Sequence, residues 1–181
     1  MADINITPFS DVYDSFLSKI TDDMYMELTK EDTYKMLEEL LITSIPKFEF
    51  PRVNLFDYVK GEETEETDDE SGEVTNEYQV GYFNCKLTLE EINILSTYMI
   101  VEWIGYQLAS IENVRMKYSG TDFKFTSQAN HIQKLLVLKK DYEREGFHLQ
   151  RLYKRRAPGK DGAPKSTLDI IMAPLKKGRL K

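Results

Sequence analysis

The chain has 181 residues, 41% of them hydrophobic and 30% charged, with a formal net charge of −7 and a single cysteine. That length fits one domain with an appendage, and the absence of a long apolar run or a signal-like N-terminus argues against a membrane protein and for the cytoplasm. Cys85 alone excludes an intramolecular disulfide, and one cysteine with two histidines disfavours a zinc cluster on those ligands.

Thr7-Pro8 reads as a helix start, with Thr as the cap and Pro at the first helical position, where its missing N–H costs little. Phe9, Val12, Tyr13, Phe16, Leu17 and Ile20 follow at helical spacing and predict a short amphipathic helix ending near Thr21. The segment from Met24 to Leu28 reads as a loop or short strand. Thr29 with Asp32 marks a second start, since acidic residues in a first turn complement the helix dipole. Tyr34, Met36, Leu37, Leu40, Leu41 and Ile45 supply a buried face, so a helix is expected from about Lys30 to Ile45, ended by Pro46.

Between Lys47 and Leu87 the pattern changes. Phe48, Phe50, Val53, Leu55 and Phe56 on one side, and Tyr78, Val80, Tyr82, Phe83 and Leu87 on the other, predict paired strands. The connection from Gly61 to Glu73 contains no hydrophobic residue and repels itself. It is read as the core of a disordered acidic tip over 61–77. Its carboxylates lack the alternating ligand positions and central Gly of a calcium loop.

Thr88-Leu89-Glu90-Glu91 is a capping box, in which the Thr hydroxyl and the Glu three residues on satisfy amides that a helix start leaves unpaired. The apolar residues after it, from Ile92 to Met116, cover far more than the roughly 100° stripe of a surface helix. This helix, running toward Tyr118, is expected inside a bundle or against another subunit, with Trp103 in the core. Asn93, Ser96, Glu102, Gln107 and Glu112 exclude a membrane span. A turn at Ser119 to Asp122 and a short segment Phe123 to Phe125 precede a last helix capped by Ser127. Ile132, Leu135, Leu136, Leu138 and Tyr142 lie along it. Leu149, Leu152 and Tyr153 continue beyond Gly146, which reads as a kink.

The stretch from Ala157 to Pro164 has linker composition, and Leu168, Ile170 and Ile171 form a short apolar run suited to docking as an extended segment. From Arg151 onward there are ten basic and two acidic residues, a balance of +8, which leaves −15 on residues 1–150. A basic end joined to an apolar insert has both attraction for an acidic partner and something to bury. Catalytic signatures are missing from the sequence: it contains no phosphate-binding glycine loop, nucleophile elbow, cysteine pair or His-Glu-x-x-His pattern. His131 reads as a surface or interface residue, and His148, close to Glu143 and Glu145 but without a second His or Cys nearby, is weak evidence for a metal. No enzyme, cofactor or metal centre is expected.

Several phrases resemble those of phage head–tail connector proteins, the adaptor or head-completion subunits that bind beneath the portal. They are Phe16-Leu17-Ser18-Lys19-Ile20-Thr21-Asp22-Asp23, Ile45-Pro46-Lys47-Phe48-Glu49-Phe50-Pro51, and Leu87-Thr88-Leu89-Glu90-Glu91-Ile92-Asn93-Ile94-Leu95 leading to Met99 and Trp103. Asp122-Phe123, Ser127-Gln128-Ala129-Asn130-His131 and Leu152-Tyr153-Lys154-Arg155-Arg156 complete the set. The resemblance implies a non-enzymatic virion protein of the neck, made in the host cytoplasm. It would form a dodecameric ring that binds the portal on one face and a tail, stopper or collar protein on the other. Double-stranded DNA would pass through without sequence-specific binding.

On that reading Arg151, Lys154, Arg155, Arg156, Leu168, Ile170 and Ile171 contact the portal. Glu62, Glu63, Glu65, Glu66, Asp68, Asp69 and Glu70 form an acidic loop facing the channel. The expected fold is mainly α, a helical bundle around one long central helix, with a β-hairpin arm and an extended C-terminal tail. The body spans 1–156, with the hairpin at 47–87, and the basic tail spans 157–181. The alternative reading is a small nucleic-acid-binding regulator that uses the basic tail.

Overall fold

The computed structural model describes residues 6–20, 28–67, 74–117, 125–158 and 164–166. Among these the chain is mostly helical, with four α-helices and a few short antiparallel strands. In order these are β1 (Thr7–Pro8), α1 (Phe9–Leu17), α2 (Lys30–Ser44), β2 (Tyr58–Val59), β3 (Glu62–Thr67), β4 (Val74–Gln79) and β5 (Tyr82–Phe83). They are followed by α3 (Leu89–Lys117), α4 (Phe125–Arg155), β6 (Arg156–Pro158) and β7 (Pro164–Ser166). A 3-10 turn, Ile45–Lys47, follows α2 and contains Pro46.

α3 packs against α1, α2 and α4. From Glu91 to Val101 every residue except Asn93 is buried, which accounts for apolar side chains all round this part of the helix. Phe9, Val12 and Phe16 of α1, Leu37, Leu40 and Leu41 of α2, and Tyr153 of α4 close around it. Each such aliphatic or phenyl group removed from water contributes about 1.5–3 kcal/mol. Two buried hydroxyls on α3, those of Ser96 and Thr97, are matched by Lys19. Its ammonium donates to Ser96 Oγ at 2.6 Å, Thr97 Oγ1 at 3.2 Å and Asn93 Oδ1 at 2.8 Å. Beyond Ile104 the burial weakens, and Tyr106 is 52% exposed.

Both capping signals are realised. Thr29 Oγ1 accepts from Asp32 N at 3.1 Å, and Thr88 Oγ1 accepts from Glu91 N at 3.3 Å while Thr88 N donates to Glu91 Oε2 at 2.8 Å. Thr7 is different. It lies in β1 and does not cap α1; its hydroxyl donates to Cys85 O at 2.9 Å and accepts from Leu87 N at 2.8 Å. The helix begins only at Phe9, after Pro8, and ends at Leu17.

The strand region also departs from expectation. β5 pairs antiparallel with β1 (Thr7 opposite Phe83) and with β2 (Tyr58 opposite Phe83). The stretch from Phe48 to Phe56 forms no strand. Two of its backbone donors are taken by α4 side chains instead, with Glu49 N donating to Gln150 Oε1 at 2.8 Å and Arg52 N to Tyr153 Oη at 3.1 Å.

The hairpin arms lie within the acidic segment itself. β3 pairs with β4 from Glu62 opposite Gln79 to Thr67 opposite Val74, through much of the 61–77 span expected as a disordered tip. α2 supplies the missing support. Glu38, only 8% exposed, accepts from Gly61 N at 2.8 Å and from Tyr78 Oη at 3.1 Å, Lys35 pairs with Glu63, and Tyr34 stacks on Tyr78 at 5.8 Å.

α4 begins at Phe125, two residues before the expected Ser127 cap, and is unbroken through Gly146. Within the stretch read as a linker and tail, β6 pairs with β7. The 68–73 part of the acidic tip, the turn at 119–122 and the apolar run at Leu168, Ile170 and Ile171 lie outside the described residues. No described helix is long and apolar enough to cross a membrane.

A basic, aromatic groove at the end of α4

α4 carries Phe147, Gln150, Arg151, Lys154 and Arg155 at helical spacings that bring them onto one side of its last two turns. Together with Glu49 and Phe50 they line a groove of about 600 Å³. Lys154 and Arg155 occupy the last turn, where the helix dipole favours cations. The charged heads are exposed, and so are the two rings, Phe50 at 48% and Phe147 at 51%. Lys154 Nζ sits 4.0 Å from the Phe50 ring centroid and Arg151 Cζ 5.9 Å from that of Phe147.

The far wall is held in place by two α4 side chains, Gln150 and Tyr153. Gln150 is buried, and its amide donates to Lys47 O at 2.9 Å and to Tyr98 Oη at 2.5 Å while its carbonyl accepts from Glu49 N. One residue therefore ties the 47–49 backbone to both long helices. A turn further on, Tyr153 donates its hydroxyl to Glu91. Arg52 stacks on the Tyr153 ring at 4.0 Å and donates from Nη2 to Tyr153 O at 2.6 Å. Burial first, then the hydrogen bond to Glu91 and that carboxylate's charge, push the Tyr153 hydroxyl far above its ordinary value. It stays a donor.

Gly146 lies one turn before Gln150, buried beneath the Tyr98 ring. A Cβ there would meet Tyr98 Cζ at 2.8 Å. The glycine thus permits close approach of α3 and α4, and the kink expected from its propensity is not what it provides.

Of the residues singled out in the sequence, Arg151, Lys154 and Arg155 come together in this groove. Arg156 stands apart in β6, paired with Glu90 at the start of α3. Leu168, Ile170 and Ile171 fall outside the described residues. Glu62 and Glu63 are exposed in β3, on the α2 side of the molecule, with Glu65 and Glu66 further along the same strand. Asp68, Asp69 and Glu70 fall outside the described residues. The sequence reading missed Phe50, Phe147 and Gln150. The spacing of Phe147, Arg151 and Lys154 at i, i+4 and i+7 marked one helical face, but a kink placed at Gly146 hid it.

Chemically, the groove offers three cations, one carboxylate and two phenyl rings, a set suited to holding an acidic or partly apolar ligand. Among the described residues no group of three His, Cys, Asp or Glu side chains could hold a metal ion, and His131 and His148 are both exposed. A second, smaller cavity of about 240 Å³ lies between α2 and α3, lined by Met36, Leu40, Trp103 and Tyr106. Trp103 Nε1 is buried without a hydrogen-bond partner among the described residues.

Compared with protein-family models, curated proteins and solved structures, the chain has no match. The resemblance to head–tail connectors accordingly rests on the sequence phrases quoted above.

Proposed function

We propose that the chain is a non-catalytic assembly subunit of the head–tail connector kind. It forms a ring, binds a portal, and links a DNA-filled head to a tail. The observation that carries this reading is the groove at the end of α4. It gathers three of the expected partner-binding cations, Arg151, Lys154 and Arg155, beside two exposed phenyl rings. Charge gives attraction and orientation, and the rings give surface to bury.

On this reading the helices form a bundle with α3 as its central rod. The parts of α3 and α4 least covered by their own chain face sister subunits. Tyr106 on α3 and Leu136, Val137 and Leu138 on α4 are all at least 39% exposed, which suits such packing. The ring then occupies the neck of a virion, with the basic residues after α4 gripping the portal.

Electron microscopy of the purified protein, alone and mixed with portal, tests the reading. Rings or portal caps are expected. The chain lacking 157–181 is expected to fold but to lose attachment to portal-bearing capsids, and normal attachment by that truncation would count against the portal grip. A duplex-DNA mobility shift that collapses steeply with salt would instead favour a nucleic-acid regulator.

A further inference from the structure

We propose that the groove at the end of α4 receives the acidic β3–β4 hairpin of a second copy of this chain. The inference rests on the assembly-subunit reading; it gives the groove to a neighbouring copy and leaves the portal to the basic residues after α4.

Charge selects the occupant. The groove is bordered by Arg151, Lys154 and Arg155 against one carboxylate, Glu49. β3 carries Glu62, Glu63, Glu65 and Glu66 within six residues, and β4 adds Glu77. The chain's own C-terminal end, with Lys176, Lys177, Arg179 and Lys181, carries the same sign as the groove and offers it no charge match. Nucleic acid is the other polyanion that this charge admits, and duplex-DNA binding separates the two.

Support decides the geometry. The hairpin is fastened to α2 through Glu38, Lys35 and Tyr34, whereas the groove is built on α4 and the 47–52 segment. Two different, complementary patches on one chain make a head-to-tail contact, which repeats until it closes into a ring or extends as a filament. β3 and β4 pair only with each other among the described residues, and a two-stranded hairpin is marginal until something covers it. Its glutamates discourage addition of a further strand. The contact is therefore one of carboxylates on cations, with Phe50 and Phe147 desolvated beneath. This gives the hairpin a place at a subunit interface instead of in a channel lining.

The test uses the full chain in sedimentation velocity and electron microscopy across a concentration series at low and high salt. Wild type is expected to self-associate, and more weakly at high salt. Reversal of the groove (Arg151→Glu with Lys154→Glu) or of the hairpin (Glu62→Lys with Glu66→Lys) is expected to weaken association about tenfold or more. All four changes in one chain restore the sign match and are expected to recover most of the loss. Circular dichroism checks folding, and if a reversal unfolds the chain, Arg151→Gln with Lys154→Gln gives a smaller loss in the same direction.

Rings that form equally well in both reversed variants, or a four-fold variant without recovery, would overturn this contact and leave the ring reading standing. A wild type that stays monomeric at every concentration would overturn this contact, and one that also fails to cap the portal would overturn both. Salt-sensitive binding of duplex DNA in the groove, lost in the Arg151 and Lys154 variants while copies do not associate, would overturn it in favour of a polyanion.

Discussion

The Tyr153 hydroxyl, in the last turns of α4, donates to the Glu91 carboxylate, which also accepts from Thr88 N at 2.8 Å at the start of α3. Glu91 is 1% exposed, so one buried carboxylate serves both as half of a helix cap and as the lock between two helices. A lost hydrogen bond to a buried charged group costs about 1.5–3 kcal/mol. Tyr153→Phe is expected to lower the urea midpoint accordingly with the m-value unchanged. An unaltered midpoint would show that the carboxylate finds another donor.

Gly146→Ala sets propensity against packing. Alanine gains about 1 kcal/mol in a helix interior, but its methyl carbon would press on Tyr98 Cζ at 2.8 Å. Overpacking of this kind costs about 1–3 kcal/mol, and Tyr98 is pinned by Gln150 at 2.5 Å, so it has little room to retreat. The expected outcome is a lower thermal midpoint, and a rise would mean that the ring moves freely.

Tyr13→Phe should go the other way. The Tyr13 hydroxyl is buried without a hydrogen-bond partner among the described residues. Leaving such a group unsatisfied costs about 1–3 kcal/mol, so its removal is expected to leave stability unchanged or raise it, as read by equilibrium unfolding. A clear loss would reveal a partner for the hydroxyl.

Stability is expected to fall at alkaline pH. Burial first, then the charge of Glu38, raises Tyr78 from 10.0 to about 12, and burial also pushes Tyr13 and Tyr153 upward. In each case the folded chain holds its proton to higher pH than the unfolded chain. The stabilisation is complete below pH 10 and lost as pH climbs through the folded values, between 10 and about 12 for Tyr78. Lys19 acts oppositely, because burial lowers it from 10.5, and its contribution rises with pH just below that value. Urea melts across this range are expected to show a decline above pH 10, made shallower by Tyr78→Phe.

The parts of the fold written in neighbouring residues were legible in advance. Thr29 with Asp32 and Thr88 with Glu91 are caps three residues long, and both helices start where those pairs lie. The misreadings came where partners are remote. Thr7 looked like a cap because Pro8 follows it, yet its hydroxyl serves Cys85 and Leu87, separated from it by 78 and 80 positions. The acidic run looked unfoldable because no apolar residue lies within it, whereas its support comes from Glu38 and Lys35 on another element. For the groove, the basic residues were visible as a cluster. The phenyl rings that give it a floor were not, since Phe50 and Phe147 meet only when α4 returns to the 47–52 segment.

Gln150 makes the groove wall and the protein interior a single mechanical unit. The Glu49 backbone in the groove wall is joined through the Gln150 amide to the phenol of Tyr98, which is 6% exposed. An event at the surface thereby acquires an optical signature inside. The near-ultraviolet dichroism is expected to change when the groove fills, and the part of that change lost in Tyr98→Phe is the part carried by this ring, one of 11 tyrosines.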